Sequence, residues 1–88
     1  MSLKKEEILL YPLITEKAVG MIERENKISF IVNKAATKKE VKDAVEKIHK
    51  VNVEKVHVVN DLKGRKRAIV KLGKEFKAED LATRLGVI

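Results

Sequence analysis

The stretch Val51-Asn52-Val53-Glu54-Lys55-Val56-His57-Val58-Val59-Asn60-Asp61-Leu62-Lys63-Gly64-Arg65-Lys66-Arg67-Ala68-Ile69-Val70-Lys71-Leu72 reads as two strands joined by a tight connection. Ala68, Val70 and Leu72 share one face of the second strand, and Arg67, Ile69 and Lys71 the other. The first strand, Val51 to Asn60, changes phase along its length. Val51 and Val53 are odd-numbered and Val56 and Val58 even-numbered, which predicts a bulge near Glu54-Lys55. Asp61 to Lys66 carries the hairpin, and Gly64 is the residue suited to positive φ. Four cations in five residues, Lys63-Gly64-Arg65-Lys66-Arg67, occupy that connection.

Working upstream, Thr37-Lys38-Lys39-Glu40 fits a capping box, with Val41, Ala44, Val45 and Ile48 following at helical spacing. His49-Lys50 falls in the last turn, where cations meet the helix dipole. Lys27 to Asn33 alternates as a strand, Ile28, Phe30 and Val32 against Ser29, Ile31 and Asn33. Glu23-Arg24-Glu25-Asn26 reads as a polar turn after a short helix that Thr15 caps and that Ala18, Val19 and Ile22 stripe. Before it, Ile8 to Tyr11 is a first strand stopped by Pro12. Downstream, Gly73 ends the last strand, and Ala78, Leu81, Ala82 and Leu85 outline a final helix that Gly86 stops.

The order β-α-β-α-β-β-α predicts an α/β fold of the α+β type. It is a single small sandwich, a mainly antiparallel four-stranded sheet with helices packed on it. No linker or repeat divides the chain, so residues 1–88 read as one domain with residues 1–7 flexible. Strand order is not legible in the pattern.

Composition narrows the function. The 44% apolar fraction argues against a disordered basic tail, and a net charge of +7 favours a polyanionic partner. The chain has no cysteine, which removes disulfides, thiolate catalysis and cysteine zinc sites, and fits a reducing compartment. The apolar run Ile8 to Leu10 is too short for a signal-peptide core or a membrane span, so a cytoplasmic protein without membrane insertion is expected. His49 and His57 have no nucleophile or acid at triad or metal spacing, and no glycine-rich phosphate loop is present. Glu6-Glu7, Glu23/Glu25 and Glu79-Asp80 read as solubility and helix-start charge. No catalytic residue, metal, cofactor or small-molecule substrate is expected.

The basic residues fall into groups. Lys34, Lys38, Lys39 and Lys42 stand where the second strand enters the long helix, with Thr37 as its cap. Lys63, Arg65, Lys66 and Arg67 form the hairpin cluster, continued by Lys71. A weaker group is Lys74 and Lys77. The helix lysines fit a solvated face equally well. The hairpin fits it less well, because Asp61 is the only acid nearby. The aromatics are Tyr11, Phe30 and Phe76, and Phe30 alternates in phase with core residues. Phosphate and shape contacts should therefore outweigh base stacking.

Several motifs in order resemble a known family. They are Pro12-Leu13-Ile14-Thr15-Glu16-Lys17, matching P-x-x-[ST]-E-K; Ala36-Thr37-Lys38-Lys39-Glu40-Val41-Lys42-Asp43-Ala44-Val45; Val51-Asn52-Val53-Glu54-Lys55-Val56; and Lys66-Arg67-Ala68-Ile69-Val70-Lys71-Leu72. Together they resemble the universal large-subunit ribosomal protein L-twenty-three, from about Leu10 to the C-terminus. Bacterial members carry a long loop between the last two strands. The short connection here, the ending Asp80 to Ile88 and the lack of a long basic N-terminal extension resemble the archaeal type. The resemblance implies a protein of the cytoplasmic ribosome that binds the third domain of large-subunit ribosomal RNA beside the polypeptide exit tunnel. It implies ribosomal protein L-twenty-nine as a neighbour, and docking of the signal recognition particle and the translocation channel. Thr15, Glu16 and Lys17 would lie on that docking side. A small basic enzyme of acylphosphatase type is the alternative. It needs an anion-cradling loop with an arginine near the N-terminus, whereas the first arginine here is Arg24.

Overall fold

The computed structural model describes residues 5–87. The elements are α1 (Lys5–Ile8), β1 (Leu9–Pro12), α2 (Glu16–Glu25), β2 (Lys27–Val32), α3 (Lys38–His49), β3 (Val53–Asn60), β4 (Lys66–Leu72) and α4 (Ala78–Arg84). The sheet order is β1-β2-β4-β3, and every neighbouring pair is antiparallel. The expected α+β class and element order are present, with one addition. A short helix, α1, begins at Lys5 where flexible chain was expected, and its Ile8 is buried. Residues 1–4 lie outside the described residues.

Local chemistry explains most boundaries. The capping box at α3 is complete: Glu40 N–H donates to Thr37 Oγ1 (3.2 Å) and Thr37 N–H donates to Glu40 Oε1 (3.0 Å). Val41, Ala44 and Val45 are fully buried. Ile48, expected on the same stripe, is instead 43% exposed. The last turn of α3 covers the core with His49, whose ring stacks on Phe30 at 5.8 Å, and this turns Ile48 outward. The register of β3 on β4 jumps between Val53 and Lys55, which is the expected bulge. It lets Val53 and, beyond the bulge, Val56 and Val58 face the same core. Pro12 ends β1 at the sheet edge, where its missing N–H breaks no ladder.

Phe30, Ile28, Val32, Val70 and Leu72 face α3 and α4 and form the main core. Ser29 and Ile31, on the other face of β2, are buried as well. Ile31 packs with Leu13 and Ala18 in a second small cluster under the start of α2. β2 is therefore covered on both sides, while the β3–β4 half of that outer face stays open.

The segment Glu23-Arg24-Glu25 is the last turn of α2 rather than a loop. Its polarity reflects exposure, since glutamate and arginine are good helix formers. Asn26 ends the helix in the left-handed region, at φ 56°. Its Nδ2 donates to Phe76 O (2.9 Å) and, more weakly, Leu72 O (3.4 Å), and its Oδ1 accepts the Ala78 N–H (2.7 Å). Its own carbonyl accepts the Leu72 N–H (3.1 Å). The N-cap of α4, Lys77, makes no side-chain cap bond, so α4 is capped across 52 residues by Asn26. This residue separates two effects. Asn26→Gly keeps the left-handed backbone but loses the side-chain bonds, and should cost about 1–3 kcal/mol. Asn26→Ala adds the Cβ penalty of that conformation, about 1–2 kcal/mol more. Urea unfolding of both variants measures the gap; equal losses would mean the backbone conformation is of no consequence.

Candidate nucleic-acid interface

The hairpin between β3 and β4 is organised by Asp61. Its Oδ1 accepts the N–H groups of Lys63 (2.9 Å) and Arg65 (3.0 Å), and its Oδ2 accepts Arg65 Nε–H (2.9 Å). Arg67 Nη2 lies 3.8 Å from the same oxygen. Such an Asx-type turn follows from a short carboxylate facing the next amides. Gly64 takes φ 78°, as its position requires. Asp61 is thus spent on building the turn, and its side chain is only 6% exposed. Desolvation raises its pKa, but the amides of Arg65 and Lys63 and the Arg65 guanidinium outweigh this and hold the carboxyl below its usual 3.8. Arg65 Nη1 donates to Tyr11 Oη (3.2 Å). That bond, and then Asp61, push the guanidinium pKa further up.

Lys66 points to the helix side of the sheet. Its ammonium donates to Ala36 O (2.6 Å) and Lys34 O (3.3 Å). This brace ties the base of the hairpin to the loop entering α3, and Lys34, Arg65 and Lys66 line one shallow depression there. Lys42 follows Lys38 by one turn on the exposed surface of α3. None of Lys34, Lys38, Lys39, Lys42 or Lys63 forms an ion pair among the described residues. The Val32↔Lys66 register sets the base of the hairpin next to the end of β2 that leads into α3.

Lys71 does not join them. It stands five residues along β4 from Lys66, about 16 Å away, on the opposite sheet face. Its cross-strand neighbours are Lys27 and Lys55. Neither was singled out in the sequence, although each has the parity of an outward strand position; only the register reveals them as a row. Tyr11, which orients Arg65, was likewise missed. His57 is exposed on this outer face. His49 behaves differently from a helix-end cation. Burial against Phe30, and then Arg84, lower its pKa below 6.5, so the ring is mainly neutral at pH 7.

Thr15 caps α2 by accepting the Ala18 N–H (3.1 Å), and Glu16 and Lys17 are exposed on the first turn. Arg24 lies within α2 rather than in a loop of amides. One open concavity is lined by charges of both signs from Glu23 to Lys27 and by Lys71, Lys77 and Glu79. Among the described residues, no three His, Asp or Glu side chains gather as a metal site would require.

The lowered pKa of Asp61 has a defined sign. A carboxyl depressed in the folded state contributes stability above 3.8, and that contribution is lost as pH falls through the folded value. Asp61→Asn should therefore flatten the acid limb of the stability–pH curve below about pH 4. The protection factors of the Lys63 and Arg65 amides, measured against intrinsic rates at each pH, should fall in acid in the wild type. An unchanged acid limb in the variant would show that Asp61 does not anchor the turn.

The sequence model of the family described as Ribosomal protein L23 matches residues 7–79. The match runs from α1 into the first turn of α4, and so takes in the capped helix, the bulged strand and the basic hairpin. It covers most of the chain, and the four-stranded sheet lies wholly inside it. The chain belongs to the ribosomal protein L23 family, and its role is that of a structural protein of the large ribosomal subunit.

Proposed function

We propose that this protein binds large-subunit ribosomal RNA with the hairpin and the entry of α3, and does so in the cytoplasm, beside the polypeptide exit tunnel. The observation that carries this reading is the Lys66 brace. It assembles unpaired cations from two distant segments on one end of the molecule. Phosphates are the natural complement of such a cluster, because they supply most of the affinity in protein–nucleic acid contacts. Lys34, Lys38, Lys39, Lys42, Lys63, Arg65 and Arg67 are the contacts, with Thr37 at the amide-rich helix start. Lys66 has two of its three donors committed to carbonyls and acts mainly by holding the two halves together. The family resemblance supports the third RNA domain as the target and ribosomal protein L-twenty-nine as a neighbour. The hairpin connection of Asp61 to Arg65 is short, which favours the archaeal type. Ribosomal proteins of this kind are generally not enzymes, and the acylphosphatase-type alternative finds no amide cradle around Arg24.

With about six phosphates engaged, affinity should fall with salt at a log–log slope near −4 to −5. Replacing Lys38, Lys39 and Lys63 by glutamine should flatten that slope by about two units. Phe30→Leu is the control: it thins the core at a cost below about 1.5 kcal/mol and should leave the slope alone. Titration of the three proteins with a large-subunit RNA transcript tests this. Identical slopes for wild type and the lysine variant would remove the hairpin and helix entry from the interface.

The same reading places Thr15, Glu16 and Lys17 on a docking surface for the signal recognition particle and the translocation channel. Its support is the exposure of Glu16 and Lys17 on an element separate from the hairpin, together with the family's P-x-x-[ST]-E-K motif. Glu16→Ala should leave subunit assembly intact and shift stability by about half a kcal/mol or less. It should weaken particle binding to the assembled ribosome, more at low salt than at high. Equal affinities at both salts would leave Glu16 as a helix-start acid.

A further inference from the structure

The outer face of β4 carries a feature that the hairpin interface does not use. Lys27 on β2 and Lys55 on β3 are each paired across the sheet with Lys71 on β4. Three lysines therefore stand in one row over three adjacent strands, the outer two about 10 Å apart. Like charges directly opposed on a sheet destabilise it. The two acids nearby relieve this little. Glu25 lies 3.2 Å from Lys27 and Glu54 lies 3.7 Å from Lys71, and both pairs are exposed and solvent-screened. Lys55 has no acid partner among the described residues.

The row borders a depression of 240 Å³ lined by Met21, Lys27, Lys55, His57, Ile69 and Lys71. Among the described residues no helix lies across this half of the sheet, and α2 reaches its depression through Met21. Arg67 lies on the same face, two rows nearer the hairpin, and Arg65 follows at its end. Arg65, Arg67 and Lys71 thus mark a cationic line along β4 of about 20 Å.

We propose that Lys27, Lys55 and Lys71 form a second RNA-backbone site on the open sheet face, reached by the same RNA that engages the hairpin. The inference rests on the RNA-binding reading above. A line of cations running from one end of a strand to the other suits a linear polyanion. An RNA strand crossing β4 would place successive phosphates over Arg65, Arg67 and the lysine row, with Ile69 offering a small apolar floor beneath a sugar. The repulsion within the row is relieved when phosphates arrive.

Two measurements on the full-length protein bound to a large-subunit RNA transcript test this. The first is lysine acylation read by mass spectrometry. Lys27, Lys55 and Lys71 should be protected in the complex together with Lys38 and Lys63. The second is the triple variant Lys27→Gln, Lys55→Gln, Lys71→Gln. It should fold at least as stably as the wild type in urea, yet flatten the salt slope by about two units, additively with the hairpin variant. Should the wild type bind with a hairpin-dependent slope while the three lysines react as in the free protein, the second site is overturned and the RNA reading stands. Protection in whole subunits but not with the transcript would assign the row to an acidic protein neighbour, and overturns it too. A wild type without salt-dependent RNA binding defeats the parent reading itself.

Discussion

One asparagine side chain holds together the end of the molecule away from the hairpin. Asn26 closes α2 in a left-handed conformation, accepts the last amide of β4 on its backbone, and caps α4 with its Oδ1. Each of these groups would otherwise be a partly buried amide or carbonyl without a partner, and unpaired buried polar groups are costly. Because α4 lacks a cap of its own, its position over Leu72 and Phe30 follows from Asn26. The Gly73 amide bonding to Asn52 O (2.8 Å), and Asn52 Nδ2 donating to Glu75 (2.7 Å), pin the same connection from the other side. The Asn52 side-chain bond also holds the Glu75 carboxyl below its ordinary value.

The opposite end is organised by charge. Asp61 and Lys66 are each committed to internal partners, the carboxylate to the turn and the ammonium to two carbonyls. Their role is to hold neighbouring cations in place and leave them unpaired. Lys34, Lys38, Lys39 and Lys63 form no ion pair among the described residues, and Arg65 is aimed by Asp61 and Tyr11. Pre-organisation of this kind lowers the entropy cost of binding a polyanion. The sheet between the two ends carries Lys27, Lys55 and Lys71 on its uncovered half, where their mutual repulsion opposes folding.

Burial decides which of the ionisable groups stay ordinary. His49 and His57 have the same intrinsic chemistry, yet one stacks on Phe30 of the interior strand β2 and the other faces solvent. The difference lies in the faces of α3 and β3 on which they fall. Ile48 shows the converse: an apolar residue at helical spacing is left outside because His49 takes the core-facing position in the last turn of α3.

Local features of the chain were legible in order of residues. The Thr37–Glu40 box, the Thr15 cap, Gly64 at the turn and the phase change at Glu54-Lys55 each depend on neighbours within a few residues. Periodicity alone was enough to separate core from surface along β4 and most of α3. What tertiary structure decided is of another kind. The pairing of β2 with β4, the reach of Asn26 over 52 residues, the brace from Lys66 to Ala36 and the row of Lys27, Lys71 and Lys55 all join residues far apart in the chain. No local pattern encodes these contacts, because they depend on strand order and register. Those are set by how the apolar faces of β2, β4, α3 and α4 bury one another, and a one-residue slip in register would have turned each of these lysines to the other face.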